Sequence, residues 1–419
     1  MRGTWWRLAV LVGMLGLGAS RGWAQTRLLT VSLTPYGWMS QEEFSIQHPS
    51  PEREGWLISG PPGGVAWGGV GEVAVDGQGR VYVGLPIWAS GAAPKSAARG
   101  EGDKLRVLVL SAGGNGEPVR TVDFPTRSLD RLDLRLAADG TLLLVADDKL
   151  MRVGADGRPT AELALPNTQK KFEPWYLQSS TTGRTVRIRF NSKSSMLVDT
   201  QSLAVIKSCQ ELDDSNDYGE MTDDLELASQ VETIQPDLTY GLEREAFCEK
   251  RERLGQFGNI SFVPSVVDDD RFLAIGRETI ALRKMSGETL WTSRAPAGRV
   301  LQMEQGEERL SRDGGRVAVR VLRPVVYHEP VNWDGPGARP NVFRQVQFRP
   351  PGSPRVRTME VEDSIAVWDV ASGRLVGLVP VQGPLENEDF KGHASFALSP
   401  DGRLLAVLRQ DGVLLLWKM

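Results

Sequence analysis

Histidine and cysteine are scarce in this chain of 419 residues: there are three histidines, His48, His328 and His393, and two cysteines, Cys209 and Cys248. The histidines lie far apart in sequence, so a zinc site built from these residue types is disfavoured and no metal site is assigned. Beyond the N-terminal leader the chain has no Gly-x-Ser-x-Gly elbow, no phosphate loop ending in Gly-Lys-Ser/Thr and no His-Glu-x-x-His, so the short signatures of several hydrolase classes are missing. Gly77-Gln78-Gly79 is followed by a β-rich run and not by a helix, which makes it a hairpin turn and not a dinucleotide loop. An excess of positive charge is also absent. With 49 basic against 53 acidic residues the net charge is −4, and a nucleic-acid partner is disfavoured.

Long apolar runs are missing except near the start, where Arg2 and Arg7 precede an apolar stretch from Leu8 to Leu17 and small residues stand at Gly22 and Ala24. That layout is expected of a cleavable secretory signal over residues 1–24. The stretch is short for a permanent anchor, since a spanning helix needs about twenty apolar residues. Removal of Arg2, Arg7 and Arg21 with the leader takes the net charge from −4 to −7. No cysteine stands at the cleavage point, so the expected product is unlipidated, without stable membrane insertion, periplasmic or secreted, and monomeric. In an oxidising compartment the simplest fate of an isolated pair of cysteines is a disulfide between Cys209 and Cys248.

What the chain does have is a recurring turn sentence. Phe396-Ala-Leu-Ser-Pro-Asp401-Gly402-Arg403-Leu-Leu-Ala-Val-Leu408 leads into Asp411-Gly412-Val-Leu-Leu-Leu-Trp417. Proline presets φ, aspartate bonds back to nearby amides and glycine accepts positive φ, so the run reads strand, turn, strand, turn, strand. Related copies occur at Glu72–Gly84, Leu134–Ala146 and Leu310–Val319, and outer halves recur at Lys149–Arg158, Thr279–Trp291 and Ser364–Gly377. Four strands per unit at a period of roughly forty to fifty residues is the pattern of propeller blades. The expected fold is all-β, a single β-propeller of about seven four-stranded blades. An orphan strand, Arg27–Leu33, is expected to join the C-terminal blade and close the ring. The domain organisation expected after the leader is a closing strand and lead-in over 25–67, then the propeller over 68–419.

Gly392-His393, Ser399-Pro400-Asp401-Gly402 and Leu416-Trp417, with Trp368-Asp369 one unit earlier, resemble the WD-repeat family, strongest over residues 363–419. The other copies resemble it loosely, in the manner of a degenerate bacterial propeller. The resemblance implies a structural network inside the last blade from His393, Asp411 and Trp417, with Arg409 standing where the family has a hydroxyl residue. It implies architecture and not function.

Two insertions, 85–104 and 323–360, each follow the second strand of a unit, which places them on one face and, in a closed ring, over one sector together with residues 34–64. The longer one carries the candidate binding residues Tyr327, His328, Trp333, Phe343, Arg344 and Arg349. Aromatics interleaved with arginines suit an anionic or sugar-like ligand; the same composition also suits a solvated excursion whose aromatics pack on the blade beneath. The acidic run Asp213, Asp214, Asp217, Glu220, Asp223, Asp224 and Glu226 is either a solvated face or a calcium site, though it lacks the alternation and mid-loop glycine of a dedicated calcium loop. No cofactor is expected otherwise, and no catalytic residue is assigned. The leading expectation is a non-enzymatic exported scaffold that binds a protein or cell-envelope polymer. The alternative is a propeller enzyme outside the cytoplasm, such as a lactonase-like hydrolase, polysaccharide lyase or quinone-cofactor dehydrogenase.

Overall fold

The structure, a computed structural model, describes residues 25–38, 72–87, 104–125, 134–166, 174–190, 194–210, 221–247, 252–256, 262–302, 308–327, 357–381 and 393–419, apart from positions 147, 224, 235, 236 and 410. Within them it is all-β, with one short 3-10 turn at Thr34–Tyr36. Strand β1 (Thr26–Ser32) comes first. Sheet I follows as β2 (Glu72–Val75), β3 (Arg80–Ile87), β4 (Lys104–Ser111) and β5 (Arg120–Pro125), and sheet II as β6 (Leu134–Leu136), β7 (Leu142–Ala146), β8 (Lys149–Val153) and β9 (Pro159–Ala164). Sheet III is β10 (Pro174–Ser179), β11 (Thr185–Phe190), β12 (Ser194–Asp199) and β13 (Val205–Gln210). Sheet IV has three strands, β14 (Leu225–Ile234), β15 (Asp237–Ala246) and β16 (Glu252–Gln256). Sheet V is β17 (Val263–Val266), β18 (Arg271–Ile275), β19 (Thr279–Lys284) and β20 (Thr289–Arg294).

In sheet VI, β21 (Val300–Leu301) and β22 (Glu308–Leu310) both pair with β23 (Arg316–Tyr327), which is followed by β24 (Arg357–Asp369) and β25 (Leu375–Pro380). Sheet VII is β26 (His393–Leu398), β27 (Leu404–Arg409) and β28 (Val413–Lys418), with β1 added antiparallel to β28 from Thr26↔Lys418 to Ser32↔Val413. All of these strand pairings are antiparallel and, apart from β21 with β23 and β1 with β28, join sequence neighbours; together the sheets form a β-propeller-like ring, the architecture of WD-repeat-like proteins.

The turns explain the repetition. Ser399 Oγ donates to Asp401 Oδ1 at 2.6 Å and accepts from the Leu404 amide at 2.9 Å; Ser311 repeats this with Asp313 at 2.6 Å and the Arg316 amide at 2.8 Å. Gly402 and Gly314 then take φ of 65° and 66°, which a side chain would strain. The fixed turn sets the register, and the register sends alternate residues to opposite neighbours. In sheet III, Val186, Ile188 and Phe190 pack toward sheet II, whose contribution is Ala137, Leu143 and Leu150. Equivalent buried cores lie between sheets VII and I, I and II, V and VI, and VI and VII. Beside sheet IV the described residues that pack together are Leu197, Met221 and Phe247 on one side, and Leu242, Phe262, Val266, Phe272 and Ala274 on the other.

Both spans read as insertions open as extensions of a hairpin. In 85–104, β3 and β4 stay paired through Ile87↔Lys104. In 323–360, β23 and β24 stay paired to Tyr327↔Arg357. Pro324 does not end the strand: it sits at a register shift, where a missing N–H is tolerated.

Candidate ligand-binding face

Each sheet's second and third strands are joined on one side of the ring and its first and second on the other; the former is the hairpin face and the latter the turn face. In sheet VI the hairpin outruns its flanking strands. The last rung shared with β21 is Val300↔Leu322 and the last shared with β25 is Ser364↔Pro380. Beyond them β23 and β24 continue as a two-stranded ribbon through Arg323↔Glu362, Pro324↔Glu360, Val325↔Met359, Val326↔Thr358 and Tyr327↔Arg357. At about 3.4 Å per residue that is a projection of roughly 17 Å. Its base is pinned by Arg320, whose Nε lies 3.2 Å from the buried carboxylate of Asp363. In sheet I, β3 and β4 likewise pass the last rung with β2, Glu72↔Gly84, by three pairs.

Sheet VII lies between these two hairpins, packed on sheet VI through Phe396, Leu405 and Val407 and on sheet I through Leu408, Leu414 and Leu416. Its own contribution to the face is the turn before β28, where Arg409 Nε donates to Asp411 Oδ1 at 3.0 Å and Asp411 also accepts from the Val413 amide. The chain leaving β1 crosses this turn: the Leu33 amide donates to the Gly412 carbonyl at 2.8 Å, and Trp38 packs so closely on Gly412 that a Cβ there has no room.

Arg106 joins the crossing segment to sheet I. Its Nη1 donates to the Tyr36 carbonyl at 2.9 Å, while Nε and Nη2 bind Asp123 at 2.7 and 2.9 Å; Lys104 Nζ reaches the same carboxylate at 2.7 Å. The Arg106 hydrogen bonds, with Lys104 adding to them, hold the Asp123 carboxyl down at about 2. A carboxylate so held is a weak general base near neutrality. Asp123, Asp363 and Asp411 thus each have a cationic partner on or beside this face.

Among the chain segments outside the described residues, those that start from this sector include 39–71 after Trp38, 88–103 between Ile87 and Lys104, 382–392 between Val381 and His393, and 328–356 between Tyr327 and Arg357. The candidates His328, Trp333, Phe343, Arg344 and Arg349 fall in the last, outside the described residues, and Tyr327 is described only in its backbone, at the ribbon tip. Neither a family model nor a curated protein matches the chain. Its likeness to WD-repeat proteins is one of architecture and of the turn residues.

In the last blade, the carboxylate of Asp411 is engaged by Arg409 and Trp417 Nε1 has no hydrogen-bond partner among the described residues. Arg27 instead lies over the Trp417 ring, 5.6 Å from its centroid. The His393 side chain lies outside the described residues, as do Asp213, Asp214, Asp217, Glu220, Asp224 and Cys248 and the side chain of Glu226. Asp223 accepts a hydrogen bond from Thr182 Oγ1, and its carbonyl accepts one from Thr185 Oγ1 at 2.6 Å. Among the described residues no three metal-ligating side chains cluster, and no helix is long and apolar enough to cross a membrane.

Sequence reading missed the link from Arg106 to Tyr36. Its one local signal is that Arg106 and Asp123 are opposite-charge partners on one rung, visible only once the β4–β5 register is known.

Proposed function

We propose that this chain is an exported seven-bladed propeller that binds a protein or a cell-envelope polymer on its hairpin face and does not itself catalyse a reaction. What supports the proposal is that the described residues flanking 39–71, 88–103 and 328–356, namely Trp38, Ile87 and Lys104, and Tyr327 and Arg357, lie on one sector of that face. Long loops on a rigid scaffold are where binding function concentrates. The partnered state of Asp123, Asp363 and Asp411 favours a recognition surface over an acid–base centre.

In this reading sheet IV is the seventh blade, and β1 supplies the outer strand of the last blade and closes the ring by mass of paired backbone, from Thr26 to Ser32. Export follows from the leader, and a Cys209 to Cys248 disulfide would reinforce the junction of sheets III and IV. Supporting that pairing, Phe247, the neighbour of Cys248, packs in the same small cluster as Cys209.

A thermal-unfolding panel on the chain from Gln25 tests the reading, using sugars, soluble cell-wall fragments, chelator, divalent metals and a quinone cofactor. A ligand of the folded state raises the midpoint by mass action. The scaffold reading expects a shift with a polymer fragment and none with chelator or quinone. A midpoint that falls with chelator, or rises with the quinone alone, sends the assignment to a propeller enzyme.

A further inference from the structure

The turn face carries a contact that no blade-to-blade packing requires. Arg312 lies in the turn between β22 and β23, and its guanidinium donates from Nη1 to the Ala138 carbonyl at 2.9 Å and from Nη2 to the Leu136 carbonyl at 3.0 Å. Those acceptors are the last residue of β6 and the turn that leads from it to β7 of sheet II, 176 and 174 positions away in the chain. Sheets VII and I stand between VI and II on one side of the ring, and III, IV and V on the other. The contact therefore crosses the opening of the ring.

A third turn closes on the same guanidinium. Gly183, between β10 and β11, has φ of 70°, and a Cβ there would lie 2.9 Å from Arg312 Nη2 and 3.0 Å from the Leu136 carbonyl oxygen. The acceptor turn is braced from behind: Arg152 Nη2 binds Asp139 Oδ2 at 2.5 Å, and its Nη1 donates to the Thr200 carbonyl. The donor turn is braced too, with the Asp313 amide donating to the Pro400 carbonyl at 3.0 Å. Burial costs the Arg312 cation enough to lower its pKa, an effect that Asp139 partly offsets. A lysine ammonium has donors but not the planar fork whose two separate nitrogens each reach one carbonyl here.

We infer that Arg312 is a cross-ring clasp, tying the inner turns of sheets VI, II and III together and making the turn face the rigid, closed end of the ring. The hairpin face is then the end left free to accommodate a partner.

Native-state amide exchange on the full mature chain tests this with Arg312→Met and Arg312→Lys. The reporting amides are Gly140 and Gly183, each bonded within its own turn, to Ala137 at 2.8 Å and Ser180 at 2.9 Å. Both variants should speed exchange at those two sites by roughly ten-fold or more, because a charge-assisted pair of bonds is lost. The Gly79 and Gly412 amides, in turns that do not touch Arg312, should keep wild-type rates. Equal acceleration at all four sites, or none at any, overturns the clasp. If neither variant folds, the wild type still decides: the Arg312 guanidinium protons should exchange more slowly than those of Arg403, whose side chain is 79% exposed, and equal rates overturn the inference.

Discussion

Arg106 and Tyr36, 70 positions apart, are joined by a 2.9 Å hydrogen bond from the guanidinium to a main-chain carbonyl. Through it the segment that leaves β1 is fastened to the root of the sheet I hairpin. Arg106→Ala should cost about 1.5–3 kcal/mol, the range for hydrogen bonds to a charged group. Urea unfolding measures that loss. Limited proteolysis should show faster cleavage beside Tyr36 in the variant, with other sites unchanged.

Asp123 gives the fold a specific acid sensitivity. Its carboxyl titrates at about 2 in the folded chain, against an ordinary value near 4. A depressed folded value means that its stabilisation is fully present above about pH 4 and is lost as pH falls through the interval down to about 2. The Asp123→Asn variant should be less stable than wild type at neutral pH, and the gap should close across that interval. A gap constant with pH would remove Asp123 from the acid response.

Strand β1 separates two roles along one strand. Val31 is buried against sheets VII and I, whereas Thr30, the neighbouring rung on β28, is exposed. Val31→Asp should destabilise by about 3 kcal/mol or more, since it buries an unpaired carboxylate. Thr30→Asp should stay within about 0.5 kcal/mol of wild type. Comparable losses from both would mean that β1 is not packed as a blade strand.

The proposed Cys209 to Cys248 bridge predicts that the non-reduced mature chain is lighter than the reduced one by two hydrogens. Reduction, or Cys209→Ser, should lower stability by about 2–4 kcal/mol. Free thiol on both cysteines in the folded, unreduced protein would contradict the bridge.

The turns were legible because their chemistry is local: Ser399, Asp401 and Gly402 satisfy one another within a few residues, and Ser311, Asp313 and Gly314 repeat the arrangement. The strands that follow inherit their register from those turns, so most of the sheet boundaries were legible as well. The hairpin ends were not, since Pro324 reads as a strand breaker unless the register shift beside it is known, although Val325, Val326 and Tyr327 are all strand formers. Sheet IV lacks the aspartate–glycine turn altogether and is held by a ten-residue hairpin, β14 on β15. Arg312 and Arg106 were invisible for a different reason: their acceptors are main-chain carbonyls of distant segments, and any residue type supplies a carbonyl.

Binding at the sheet VI hairpin is best decided by comparing the wild type with a chain in which residues 328–356 are replaced by Asn-Gly, a two-residue turn suited to joining β23 to β24. Both are taken through the panel of sugars and soluble cell-wall fragments. The two proteins should unfold at similar temperatures without ligand, and any fragment raising the wild-type midpoint should fail to raise that of the shortened chain. An undiminished shift in the shortened chain would contradict such binding, because the binding surface would then lie away from the sheet VI hairpin.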